Sequence, residues 1–250
     1  MAVSWVRKVR HIQDVAPWLQ PEPKHKSEDE HMRVYDRNLR KTFAALGPVP
    51  LVSRDHRPYF GSTMHDSRAM RLDVRGTKLT LTLDGFDPGC FARGMDQLFG
   101  TKDADQPWPV HLVAHGVHDF RMITRDALGN IKTILRPEQL TGDFDVDWGW
   151  QEGNRICWVF MLFECGIGLV DCDRLTARDE SRKRIAHVYG PTLGRMFDEM
   201  LHLRRSPIPM TEYRGFWVEG PQRYVQLRAK SLGITLDDIA REIGEVRVGR

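Results

Sequence analysis

Polar and apolar residues alternate with period two over two long stretches of the chain. In the first, Met70, Leu72 and Val74 alternate with Arg71, Asp73 and Arg75, and Leu79, Leu81 and Leu83 alternate with Lys78, Thr80 and Thr82. That period marks half-buried strands, whose successive side chains point to opposite faces. Gly76-Thr77 between them suits a type II′ turn, whose first central residue takes a positive φ. The register predicted for this hairpin (about 68–83) sets Val74 against Leu79, Leu72 against Leu81 and Met70 against Leu83 on a core face. Arg71 and Asp73 then face Thr82 and Thr80 on the wet side.

The second stretch (about 143–172) repeats the logic. Phe144, Val146, Trp148 and Trp150 alternate with Asp143, Asp145 and Asp147, Gly153-Asn154 supplies a two-residue turn, and 156–163 is almost wholly apolar. The predicted pairs are Glu152 with Arg155, Trp150 with Cys157, Trp148 with Val159, Val146 with Met161 and Phe144 with Phe163. A strand apolar on both faces belongs inside a sheet. A further strand is expected over 167–172, and VHLVAHGVHDFRMIT, opened by Pro109, reads as a strand pair bent or bulged at Gly116.

Elsewhere the period lengthens to that of helices. Ser27 and Glu30 fit a capping box, and Met32, Tyr35, Leu39, Phe43 and Leu46 step by three and four before Gly47-Pro48, which predicts a helix over 28–46. Phe91, Met95 and Leu98 predict a short helix before Gly100. Thr176 to Asp179 reads as a helix start, and Gly190-Pro191 divides that helix from a second one carrying Leu193, Phe197, Met200 and Leu201. Phe216-Trp217-Val218 reads as a short strand, and helices follow over 224–232 and 236–243. Trp5, Val6, Val9, Ile12 and Val15 at near-helical spacing predict a basic amphipathic arm. It suits packing on its own domain as an ordinary surface helix, or contact with a partner or membrane surface. The expected class is α+β: a mainly antiparallel sheet of hairpins, an N-terminal helix and a C-terminal helical layer. A single domain over 1–250 is expected, with 1–26 as the arm and 206–250 as an extension.

Composition narrows this little. At 250 residues, 41% hydrophobic and 28% charged, the chain is of ordinary globular make-up, and 37 basic against 34 acidic residues leave a net charge of +3. That lacks the dense basic stripe of phosphate-backbone binding, so nucleic acid is not the expected partner. The segment after Ser231 resembles the opening half of a helix-turn-helix, with no room before Arg250 for a recognition helix. The four cysteines form no C-x-x-C pair, and neither a signal peptide nor a membrane-length apolar run is read, so a reduced, cytoplasmic protein is expected.

Candidate chemistry gathers in three places. His65-Asp66 precedes the first hairpin, although metal phosphohydrolases of the His-Asp kind carry that pair on a helix; a turn role for Asp66 competes. His111, His115 and His118 look like a ligand set on paper. On a regular strand, however, His111 and His115 lie about 13 Å apart, too far to share a zinc ion bound at about 2 Å. A bend at Gly116 would have to bring His115 and His118 together, with Asp119 beside them. Asp143, Asp145 and Asp147 would form an acidic row suited to a hard cation or to keeping an outer strand soluble. No nucleophile elbow, P-loop or dinucleotide fingerprint is present, and no cofactor and no metal are assigned. The expected function is a non-catalytic binding or protein-interaction module, using the exposed sheet face or the Trp148/Trp150 region, with another protein as partner and a homo-oligomer compatible. The alternative is a metal-assisted hydrolase drawing on His65, Asp66, His115, His118, Asp119, Asp145 and Asp147.

Overall fold

A computed structural model describes residues 4–11, 14–15, 66–125, 131–135, 142–162, 166–201, 206–215 and 217–249, with scattered positions between 30 and 64. Of the 28–46 helix, Glu30, Arg33 and Arg37 are described, and all three are helical and exposed. The rest of that segment, His65 and Cys165 lie outside the described residues.

Nine strands form one sheet: β1 (Ser67–Arg75), β2 (Lys78–Asp84), β3 (Pro109–His115), β4 (Asp119–Arg125), β5 (Ile131–Leu135), β6 (Asp143–Glu152), β7 (Arg155–Leu162), β8 (Gly166–Cys172) and β9 (Arg174–Asp179). Their order is β5-β4-β8-β7-β6-β1-β2-β3-β9, antiparallel throughout. Three residues join β3 to β4 and Asp173 alone joins β8 to β9, although β3 and β9 stand at one end of the order and β4 and β8 near the other. The sheet therefore curls until the ribbon β3/β9 runs on into the ribbon β4/β8. His118 N–H to Asp171 O (2.8 Å) and Asp173 N–H to His115 O (3.0 Å) carry the ladder around this corner. Gly116 turns it with φ +62°, where a Cβ would come within 1.9 Å of Asp173 Oδ2.

The second hairpin follows its expected register from Glu152↔Arg155 to Val146↔Met161. A bulge between Phe144 and Val146 then sets Phe144 against Leu162 instead of Phe163. The first hairpin differs more. Leu79, Leu81 and Leu83 are fully buried and so is Leu72, but Met70 and Val74 remain 43% and 44% exposed. Among the described residues β1 pairs with β6 at Ser67 and Arg68, and Ala69 N–H reaches Gly142 O (3.0 Å); Met70 and Val74 lie further along β1.

Seven helices complete the described residues: α1 (Trp5–Lys8), α2 (Phe86–Phe99), α3 (Ser181–Tyr189), α4 (Pro191–Leu201), α5 (Met210–Tyr213), α6 (Glu219–Leu232) and α7 (Leu236–Val248). Two readings are corrected. Residues 176–179 extend β9, and the helix begins after it, with Glu180 at its N-cap position and Asp179 Oδ1 accepting from Ser181 N–H (2.7 Å). Trp217 and Val218 form a turn leading into α6 rather than a strand. Thr235 caps α7 in a reciprocal box with Asp238.

The chain divides into two compact units, 1–82 with 111–178 and 83–110 with 179–250. In the first, one face of β6-β7-β8-β4 is covered by the N-terminal segment: Trp5, Val6, Val9 and Val15 pack against Trp148, Val159, Leu169 and Ile123. In the second, α2 sends Phe91 edge-on to Phe197 of α4 (5.2 Å). Glu199 ties α4 to α6 through Arg228 Nε (2.8 Å) and Tyr224 OH (2.9 Å).

Candidate functional site

The described histidines and aspartates of the expected cluster go to four different places. Asp147 is fully buried, and its Oδ2 accepts the indole N–H of the equally buried Trp158 at 2.9 Å. Its strand, β6, lies between β7 and β1. The bulge at Asp145, whose side chain is outside the described residues, breaks the alternation that would have aligned an acidic row. Asp66 is an exposed turn residue with φ +64°, donating its N–H to Phe144 O at 2.9 Å.

Asp119 belongs to a charged row under the N-terminal segment. The register sets Trp150, Cys157, Asp171 and Asp119 side by side across β6, β7, β8 and β4. Onto this row α1 places Arg7, whose Nε donates to Asp119 Oδ2 (2.9 Å), and its cap Ser4, whose Oγ donates to Asp171 Oδ2 (3.0 Å). Arg121 donates to Val6 O (3.2 Å) and Trp148 Nε1 to Val15 O (2.9 Å). Asp171 is 98% buried by its 2% side-chain exposure and is paired with Arg155. Among the described residues its Oδ1 and the Arg155 Nε meet no hydrogen-bond partner. The segment is thus held by directed polar contacts as well as by its apolar face.

His115 and His118 flank the Gly116 corner but turn to different partners. His118 Nε2 lies 2.7 Å from Asp173 Oδ1, whereas His115 Nε2 lies 2.8 Å from Thr176 Oγ1 on β9. Burial, then the positive charges of Arg174, Lys78 and His56, hold the His115 imidazole below the ordinary histidine range. His56 Nδ1 in turn accepts the backbone N–H of Ala177 at 3.2 Å. Among the described residues, no group of three or more His, Cys, Asp or Glu side chains is placed to hold a metal ion. Cys90, Cys157 and Cys172 are buried and not joined in disulfides, and burial pushes the Cys157 and Cys172 thiols up to about 12.

Two features went unread in the sequence. Asp87, in the first turn of α2, is pushed up to about 7 by burial and then by the Asp179 carboxylate. The two are 92 positions apart (179 less 87), so no local pattern connects them. Trp217 is 65% exposed and rests edge-on against Phe86, with ring centroids 5.5 Å apart. On either side of it, Arg214 and Gly215 take φ +57° and +83°, and Gly220 approaches so closely that a Cβ there would lie 1.9 Å from Gly215 O. Reading 216–218 as a strand concealed this tryptophan, which the pattern alone assigned to a sheet. No helix among the described residues is long and apolar enough to cross a membrane. No family model, curated protein or solved structure matches the chain.

Proposed function

We propose that the chain is a non-catalytic protein-binding module with Trp217 as its anchor. The observation that carries this reading is a large indole left 65% exposed just before a helix whose Gly220 packs closely on Gly215. Tryptophan is enriched among residues that dominate binding energy, and a preorganised side chain loses little entropy on docking. A non-catalytic role also accords with what the described histidines and aspartates touch: Asp147, Asp119, His115 and His118 each hold a structural partner.

The test is affinity capture with the immobilised protein and its Trp217→Ala variant in parallel, with thermal melts showing the two equally folded. Proteins retained by the wild type and lost at least tenfold by the variant support the reading; identical retained sets remove it. Sedimentation of the purified protein over a concentration series shows whether that partner is a second copy.

A further inference from the structure

Four cationic or imidazole side chains stand in a row at one end of the β1-β2-β3-β9 face, and their placement follows from the strand period. Thr82 Oγ1 meets His111 Nδ1 at 3.0 Å, so Thr82 and His111 share a face of adjacent strands. Counting by twos, Thr80 and Lys78 lie on that face of β2 and His115 on that face of β3. His115 meets Thr176, which brings Arg174, two residues earlier on β9, onto the same face. Arg75 joins them because the two-residue turn 76–77 makes it the cross-hairpin neighbour of Lys78. Burial follows the alternation on β2 and β9, where Lys78 and Arg174 are exposed, Thr176 is intermediate and the alternate residues Leu79 and Leu175 are buried; Arg75 is exposed and His115 intermediate, while Val74 is exposed as well and Val113, on the His115 face, is buried.

The row has no carboxylate of its own among the described residues. Asp73 pairs with Arg71 at 2.7 Å and Asp173 with His118. Neighbouring strands lie about 4.8 Å apart, so four strands span about 14 Å. That width suits two or three phosphates held by flexible side chains, with the Thr176 hydroxyl and His115 ring as added hydrogen-bonding groups. The two acids beside the row end the positive surface there, which is short for a nucleic-acid track.

We propose that Arg75, Lys78, His115, Arg174 and Thr176 form a binding site for a small molecule carrying two or more linked phosphate groups. The site is independent of Trp217. A bound polyanion offsets the positive charges around His115, so binding favours its protonated form. The groups facing that ring are Lys78 from β2, Arg174 and Thr176 from β9, and His56, with His118 and Asp173 across the corner. Affinity therefore rises as pH falls.

Titration calorimetry of the full chain with sodium tripolyphosphate tests the site, with a single-stranded oligonucleotide as a second ligand. The expected result is saturable one-to-one binding of tripolyphosphate, weakened at least tenfold in the Lys78→Ala/Arg174→Ala double variant. Circular dichroism of that variant should match wild type, since both side chains are exposed. Binding should tighten several-fold from pH 8 to pH 6, and His115→Gln should flatten that dependence. No binding, or equal binding by wild type and double variant, overturns the proposal. So does oligonucleotide binding that tripolyphosphate does not displace.

Discussion

Asp147 and Asp171 are carboxylates inside the first unit, and each is tolerable there because a donor meets it. Removing Arg155 leaves the buried Asp171 carboxylate without its countercharge, the Ser4 hydroxyl being a neutral donor, and that costs more than the pair contributes. Arg155→Ala should therefore destabilise by on the order of 3 kcal/mol, the lower part of the usual range because Arg155 is itself 39% exposed. Arg7→Ala, whose side chain is 70% exposed, should cost under about 1 kcal/mol, although its bond to Asp119 is well formed. Urea unfolding of the two variants compares them directly, and equal losses would contradict the assignment. Asp87 shows the opposite sign. Folded, it holds its proton to about pH 7; unfolded, it gives it up near 3.8. The folded state binds the extra proton between those values, so its contribution to stability falls as pH rises through that window. Asp87→Asn should raise the melting temperature at pH 8, by a free energy on the order of 2 to 4 kcal/mol, and change it little at pH 4. An equal gain at both pH values would refute this. None of these pairings was legible in the sequence, because Asp87/Asp179 and Arg155/Asp171 meet only after the chain has folded.

At the scale of elements, period and punctuation carried much further. Both turns were readable because Gly76 and Gly153 mark them; alternation placed the faces of β2 but not of β1, where Met70 and Val74 are exposed, and the second register held from Glu152 until the Phe144/Val146 bulge. The bulge defeated the reading because one extra residue in β6 leaves no mark in a run of Asp-apolar repeats. Residues 176–179 were misread because Thr-Ala-Arg-Asp suits a helix start; the strand runs on to Asp179, whose carboxylate meets the first helical N–H at Ser181. Within the sheet, Gly168 lies opposite Phe160, and a Cβ there would come within 2.2 Å of the ring. Phe160 is fully buried, so moving its ring disturbs the packing around it. Gly168→Ala should thus cost about 2 kcal/mol or more, read as a lowered urea midpoint with an unchanged slope. Neutrality would show that the ring has room to move.

For the whole molecule, the consequence lies in how the chain is shared. The second compact unit takes α2 from 83–110 and its other helices from 179–250. Phe91 and Met95 of α2 are fully buried, and Phe91 meets Phe197 edge-on. A fragment spanning 179–250 therefore lacks part of its own core. It should show weak helical circular dichroism and no cooperative melt, and supplying 83–110 in the same chain should be required to restore them. A cooperative transition in the isolated fragment would contradict this. The order of the sheet has a related consequence for a chain made from its N-terminus. β9 pairs with β3, yet β4 to β8 are synthesised between the two. During translation the outer margin of β3 stays open while five strands emerge after it, and closing it is the final act of sheet assembly. A ribosome-bound nascent chain halted before Arg174 would present that margin to chaperones, and one released beyond Asp179 would not.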